Sequence, residues 1–236
     1  DSFLGNVIYE QEMGNVSRVI DGDTIELETK EDVRLLGINT PERGEEYYSE
    51  AKEYLTNRVE GKQVSLKKES QDKDIYGRKL RFVFLDNKNI NIELIENGFA
   101  NPYFPDESKL HIKEFRSAWK DCVSKSINLC EKSKDVCSEC IKLDYLDPYK
   151  EEAVFINQCN QECSLDQWTI KDEGRKKLIL KNISINFFST LTVKVAEGKN
   201  SHSVIYWPRK DYVWTATGDA LYLRDSKNKL VLYYEY

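Results

Sequence analysis

Six residues between positions 19 and 42 have side chains or carbonyls suited to phosphate chemistry. They lie in the stretch "VIDGDTIELETKEDVRLLGINTPE", and they are Asp21, Asp23, Arg34, Asn39, Thr40 and Glu42. Hydrolysis of a phosphodiester needs a hard cation on oxygen ligands, a group that orients or deprotonates water, and arginines that stabilise the phosphate charge. Because Asp-Gly-Asp is also a common turn sequence, a simple hairpin with a polar turn is the alternative.

The predicted strands and turns around these six residues indicate that they lie close together in the fold. Residues 14–38 are predicted to form three strands, with turns at Asp21-Gly22-Asp23 and at residues 30–32. A strand–turn–strand hairpin would return Asn39 and Thr40 to the same end of the sheet as the two aspartates. The segment "DIYGRKL" adds Arg78 after a tight Tyr76-Gly77 turn. The combined spacing of these motifs is a far more specific signal of a metal-assisted phosphodiesterase site than the Asp-Gly-Asp turn alone.

The rest of the chain predicts two domains. The first domain is completed by a helix over 45–59 and a strand after it. A strand and a short helix within 78–100 follow, and then a helix over 106–126. Residues 1–135 are therefore expected to form a five-stranded, partly open barrel with three helices, as in the oligonucleotide-binding fold. From about residue 141, short β runs between turn residues predict a small β-sandwich over 141–236. The fold class is mainly β, with an α+β first domain.

Charge and composition restrict the possible functions. The net charge is −6, and the whole deficit lies in residues 1–135. Such a chain gains no long-range attraction to polyphosphate, which argues against a DNA-coating role but not against an enzyme with a few local arginines. The two histidines, His111 and His202, make a Ser/His/Asp triad or a histidine-rich zinc site improbable. No run of about 18 apolar residues exists, so no transmembrane segment is predicted.

The motifs "VIDGDTIEL", "VRLLGINTPE" and "DIYGRKLRFVFLDNKNINIELIENGFA" resemble the thermonuclease, or staphylococcal nuclease-like, family over roughly residues 14–130. The resemblance implies a calcium-dependent hydrolase that cleaves the P–O5′ bond of DNA and RNA with little sequence preference. It implies that Asp23, Asn39 and the Thr40 carbonyl hold Ca²⁺, with Asp21 nearby through water.

The same resemblance implies the remaining roles. Glu42 would be the general base or water-orienting group, and Arg34 and Arg78 would hold the phosphate. Tyr76 and Tyr103 are candidates for contacts to the nucleotide. The best-studied members of the family have an aspartate where this chain has Asn39, so weaker calcium binding is expected. A catalytically degenerate nucleic-acid or protein-binding adaptor is the alternative function.

The second half is similar to the lamin tail domain, an immunoglobulin-like β-sandwich. The turn at Trp168, the Gly218-Asp219 hairpin and the "LYLRD" strand carry the resemblance over residues 141–236. It implies an accessory module that binds DNA, a surface or a protein partner. Trp168, Trp207 and Trp214 are expected in its core rather than at a ligand site, and no residue there has a catalytic pattern.

Six cysteines cluster between residues 122 and 163, at Cys122, Cys130, Cys137, Cys140, Cys159 and Cys163. The spacing of the last four is close to a four-thiolate zinc pattern, and equally fits two disulfides between the linker and the first sandwich loop. Cys122 and Cys130 are expected to form a separate pair, and three pairs in an even set favour disulfides over zinc. Three disulfides, together with a chain that starts at Asp1 rather than Met, favour an extracytoplasmic protein, secreted or at the cell surface. We expect a monomer.

Residue 39 offers a direct test of the cation hypothesis. Substituting Asn39→Asp adds one negative charge to the proposed ligand set, so calcium affinity should rise. Calorimetric titration of both proteins with CaCl₂ measures the change. Identical titrations would indicate that residues 39–42 form only a turn.

Overall fold

The computed structural model of the chain describes residues 12–104 and 111–236. The chain divides into two compact units, the first ending at Ser124 and the second spanning Lys125–Tyr236. The domain limits 1–135 and 141–236 stay predictions. Within the described ranges, no helix has the length and apolar character needed to cross a bilayer.

Five strands of the first unit form a closed ring. The strands of this unit are β1 (Glu12–Asp21), β2 (Thr24–Leu27), β3 (Asp32–Leu35), β4 (Ile38–Asn39), β5 (Gln63–Lys67), β6 (Lys79–Leu85), β7 (Lys88–Asn89) and β8 (Asn101–Pro102). Antiparallel pairing joins β3–β2–β1–β5–β6, and a parallel pairing of β3 with β6 closes the ring. The predicted five-stranded barrel is confirmed, and β4 and β8 form a short separate pair beside it.

Three helices accompany the barrel, as predicted. They are α1 (Tyr48–Val59), α2 (Ile90–Glu96) and α3 (Ile112–Lys125). The apolar residues of α1 recur at helical spacing, so that Ala51, Leu55 and Val59 are all buried on one face. Asn89 caps α2, since its side chain accepts the backbone N–H groups of Asn91 and Ile92.

The second unit is built from strands only, apart from a 3₁₀ turn at Asn128–Cys130. Its strands are β9 (Ile141–Asp147), β10 (Glu152–Asn157), β11 (Cys163–Ser164), β12 (Thr169–Lys171), β13 (Lys177–Ile179), β14 (Ser184–Ile185), β15 (Thr190–Lys194), β16 (Val204–Tyr206), β17 (Ala220–Arg224) and β18 (Leu230–Glu235). One sheet has the order β16–β15–β10–β9, a second has the order β13–β12–β17–β18, and β11 pairs with β14.

Both four-stranded sheets of the second unit contribute side chains to one hydrophobic core. Phe155 and Val193 come from one sheet, and Ile170 and Leu223 come from the other. All three tryptophans of this unit are also buried in it. The sandwich arrangement and the core role of the tryptophans therefore agree with the sequence analysis, whereas the resemblance to a lamin tail stays a prediction.

The cysteines form disulfides rather than a zinc site. Cys137 pairs with Cys163 and Cys140 pairs with Cys159, with Cα–Cα distances of 5.6 and 5.2 Å. Cys122 and Cys130 are disulfide-bonded as well, so none of the six thiols, all of which lie in the described ranges, is free. Each of these two disulfides closes a loop of the chain and so lowers the entropy of the unfolded state. For loops of this length, the bond stabilises the folded state by about 3 kcal/mol.

Two aspartates are buried at one end of the second sheet. Asp172 and Asp219 are 4% and 6% exposed. The Asp172 Oδ1 atom accepts the Lys176 N–H at 2.9 Å, and the Asp219 carboxylate accepts three backbone N–H groups at 2.7–3.2 Å. Burial, and after it the charge of Asp219, raises the pKa of Asp172 to about 6, and burial also raises the pKa of Asp219.

This buried pair predicts a pH-dependent stability of the second unit. A folded-state pKa above the unfolded value means that the contribution of Asp172 is fully present below pH about 4 and is lost as pH rises through about 6. Replacing Asp172→Asn retains the Oδ1 acceptor and removes this loss. The free energy of unfolding of the variant, measured relative to wild type, should therefore be higher at pH 8 than at pH 4 by on the order of 3 kcal/mol. Urea unfolding at several pH values measures it. The exposed-acid control Glu197→Gln should follow wild type, and an Asp172→Asn profile parallel to wild type would contradict the assignment.

Candidate functional site

A buried ion pair links the two ends of the hairpin that the sequence analysis singled out. The Arg34 Nη2 atom lies 3.1 Å from Asp23 Oδ2, and it donates to Asn39 Oδ1 at 2.7 Å and to the Ile38 carbonyl at 2.8 Å. Both charged side chains are less than a tenth exposed. Because one nitrogen contacts an oxygen of Asp23 and an oxygen of Asn39, these two oxygens are near neighbours.

The Asp-Gly-Asp turn packs directly against Thr40. Asp23 Oδ2 accepts both the backbone N–H and the hydroxyl of Thr40, at 3.1 and 3.0 Å. A Cβ atom at Gly22 would come within 2.9 Å of Thr40 and of Ala51 on α1. Glycine at position 22 is therefore required by this close approach. The sequence prediction that residues 21–23 and 39–40 meet at one place agrees with these contacts.

Arg78 reaches the same cluster from the position just before β6, the strand that pairs with β3. Its Nη1 atom lies 3.4 Å from Thr24 Oγ1, and Thr24 Oγ1 donates to Asp23 Oδ1 at 3.2 Å. Asp74 fixes the turn that carries Arg78, accepting its Nε at 2.7 Å and its backbone N–H at 3.0 Å. Burial alone would raise the pKa of Asp74, but the guanidinium and the backbone donors outweigh it and lower that pKa. A continuous polar chain therefore joins Arg78, Thr24, Asp23 and Arg34.

The other predicted site residues lie near this chain with different exposure. Glu42 follows Thr40 by two residues and is exposed, and its backbone N–H donates to Glu45 Oε2 at 2.9 Å. Tyr76 is 78% exposed, with its ring 5.5 Å from the Arg78 guanidinium carbon. Tyr103 donates its backbone N–H to the Gly37 carbonyl at 2.9 Å, which places it beside the β4–β8 pair.

The donor chemistry of the cluster suits a hard cation. Asp21, Asp23 and Asn39 each carry side-chain oxygens, the atoms that Ca²⁺ and Mg²⁺ prefer as ligands. Burial, followed by the negative charge of Asp23, raises the pKa of Asp21, which is the effect expected where two carboxylates share a partly buried position. Within residues 12–104 and 111–236, no three His, Cys, Asp or Glu side chains surround a common metal position. A cation here would therefore depend on amide and carbonyl oxygens as well as the two carboxylates.

Comparisons with known proteins identify a family for this chain. The family model described as "Staphylococcal nuclease homologue" matches residues 32–132. The thermonuclease of Staphylococcus intermedius is 32% identical over 127 residues, which cover 50% of this chain and 75% of that protein. The chain belongs to the staphylococcal nuclease homologue family.

Other relatives of this family are matched over smaller shares of their length. The thermonuclease of Staphylococcus hyicus is 34% identical over 98 residues, 38% of this chain and 58% of that protein. Endonuclease YhcR of Bacillus subtilis is 31% identical over 124 residues, 44% of this chain and 10% of that protein. The family and the names of these relatives support a nuclease hydrolase. The range matched by the family model, residues 32–132, spans the positions of Arg34, Asn39, Glu42 and Arg78.

Three residues in contact with this candidate site were not predicted from the sequence. Thr24 connects Arg78 to the cluster, Asp74 orients Arg78, and Asn101 pairs directly with Asn39 across β4 and β8. An Asp four residues before an arginine in "DIYGR" is a signal of a side-chain-capped turn that could have identified Asp74. Asn101 carries no such signal, because its proximity to Asn39 arises only from the pairing of two distant segments.

The buried ion pair predicts a large stability cost for losing its cationic partner. Replacing Arg34→Met leaves Asp23 buried without its guanidinium, so the free energy of unfolding should fall by about 3–5 kcal/mol. The matched control is Arg18→Met in the same unit, because Arg18 pairs with Glu26 through a side chain that is 63% exposed. That variant should lose less than about 1 kcal/mol. Urea denaturation measures both, and equal losses would contradict the structural role assigned to Arg34.

Proposed function

We propose that the barrel unit is a calcium-dependent phosphodiesterase that hydrolyses DNA and RNA with little sequence preference and cleaves the P–O5′ bond. The observation that carries the proposal is the polar chain from Arg78 through Thr24 and Asp23 to Arg34 and Asn39, in a chain of the staphylococcal nuclease homologue family. Two arginines, the carboxylates of Asp23 and its neighbour Asp21, and an amide at one end of a barrel are groups that phosphate hydrolysis uses for charge stabilisation and cation binding.

The proposed roles follow from charge and exposure. Asp21, Asp23, Asn39 and the Thr40 carbonyl would hold Ca²⁺, which when bound would polarise the phosphate and favour a nucleophilic water. Glu42, exposed at the start of the following loop, accepts a proton from the attacking water. The water oxygen bonds to phosphorus as the P–O5′ bond breaks, and the leaving O5′ oxygen takes up a proton from solvent to become a hydroxyl. Arg78 is partly exposed and can contact the phosphate directly, whereas Arg34 contributes its charge from a buried position.

Substrate contacts are proposed for two tyrosines. The exposed ring of Tyr76 lies beside Arg78, so a base or sugar held at that arginine would meet an aromatic surface. Tyr103 lies beside the β4–β8 pair and is the second candidate. The acidic charge of the chain favours a substrate bound through these local contacts rather than through a broad basic surface.

The second unit is proposed as an accessory module, similar to a lamin tail domain, that binds a surface, DNA or a protein. Its separate hydrophobic core and its two internal disulfides support an independent role. Its buried carboxylates already accept backbone N–H groups, which supports a structural function for them. The three disulfides also support a protein of an oxidising, extracytoplasmic compartment.

The decisive test of the proposed function is plasmid degradation by the full chain in CaCl₂ and in EDTA. Hydrolysis should require calcium, and Glu42→Gln should lower the rate by about 100-fold or more because the general base is lost. The matched control is Glu53→Gln, an exposed glutamate on α1, which should cleave like wild type. Thermal unfolding of each variant verifies the fold.

Two results would count against the hydrolytic mechanism. Near-normal cleavage by Glu42→Gln would show that another group activates the water. Calcium-independent binding of nucleic acid by wild type without any cleavage would instead favour the adaptor function.

A further inference from the structure

One buried acceptor oxygen next to the proposed cation ligands has no partner. Asn101 is 7% exposed, and its Oδ1 atom lacks a hydrogen-bond partner in the described part of the chain. Leaving such an oxygen unsatisfied costs about 1–3 kcal/mol. A buried amide that persists at that cost usually serves a ligand, a water or a cation that completes its contacts.

The location of Asn101 is fixed by the two-residue ladder between β4 and β8. Asn39 and Asn101 are directly opposite each other in this antiparallel pair. Opposite residues project to the same face with Cβ atoms about 5 Å apart. Because Asn39 Oδ1 contacts Arg34, which in turn contacts Asp23, the Asn101 carboxamide lies on the face where the proposed cation ligands gather.

The Oδ1 atom of Asn101 is an acceptor, and this determines which kind of group can bind it. An unpartnered oxygen accepts, so its partner is a hydrogen-bond donor or a cation, whereas a phosphate group would bring only further acceptors. The neighbouring carboxylates, Asp21 and Asp23, are offset within the described residues by one buried guanidinium, that of Arg34. The local charge therefore favours a cation and its hydration shell over an anion.

We infer that Asn101 is a further oxygen ligand of the calcium site, contacting the ion directly or through one of its waters. This inference rests on the proposed function. Asn39 is neutral and gives the calcium site an oxygen without a negative charge. The carboxamide of Asn101 adds a second neutral oxygen to the same site. Asn101 is thereby a binding residue of the cation, with no part in the proton transfer.

Calorimetric titration of the full chain with CaCl₂, without nucleic acid, tests the inference. Asn101→Leu removes the oxygen at similar volume, so the calcium Kd should rise by about 10-fold or more. Its unfolding temperature without calcium should stay the same or increase, because an unpartnered polar group is removed. Asn101→Asp adds a charge at the same atom, so the Kd should fall. The control Asn89→Asp places the same charge at the cap of α2, where the side chain caps a helix, and should leave the Kd unchanged.

The outcomes separate this inference from the proposed function. If wild type binds calcium and cleaves DNA in its presence while both Asn101 variants bind calcium like wild type, the inference is overturned and the proposed function stands. If wild type binds no calcium at millimolar concentration, both are overturned. Should Asn101→Leu fail to fold, Asn101→Asp decides alone, and a Kd that does not fall overturns the inference.

Discussion

The arrangement of the first unit depends on one buried ion pair, between Asp23 at the start of β2 and Arg34 on β3. Two charges taken out of water are destabilising unless nearly every donor and acceptor is satisfied. The surroundings meet that condition, since Thr24 and Thr40 donate to Asp23, and carbonyls of residues 35 and 38 accept from Arg34. The pair therefore holds the Asp-Gly-Asp turn, β3 and residues 38–40 together, and these are the segments that carry the candidate site.

Barrel closure brings the second arginine to this pair. The parallel pairing of β3 with β6 places Arg34 opposite Leu80, immediately after the turn in which Asp74 holds Arg78. β2, which begins at Thr24, pairs with β3 on its other edge, so the closure brings the start of β6 close to Thr24. The contact at 3.4 Å between Arg78 and Thr24 is thus a consequence of topology as much as of side-chain chemistry.

The sequence was sufficient for the parts of the fold that local patterns encode. Alternating apolar residues identified the barrel strands, and helical spacing identified α1, where Ala51, Leu55 and Val59 are buried as expected. The parallel closure and the β4–β8 pair have no local signal, because they join residues far apart in the chain, so Asn101 was not found. The spacing of the last four cysteines fitted zinc and disulfides equally well, and the even set of three pairs favoured disulfides, which the pairing of Cys137 with Cys163 confirms.

Charge balance explains why the amide at position 39 matters for the whole site. Arg34 offsets the charge of Asp23, so Asp21 is the carboxylate whose ionisation has no buried counter-ion among the residues described, in keeping with its raised pKa. An aspartate at position 39 would add a second uncompensated charge and strengthen cation binding, while asparagine leaves Asp21 as the one uncompensated carboxylate of the cluster. A site of this kind must obtain its affinity from the number and placement of neutral oxygens, and the ladder that sets Asn101 opposite Asn39 is the structural element that controls their placement.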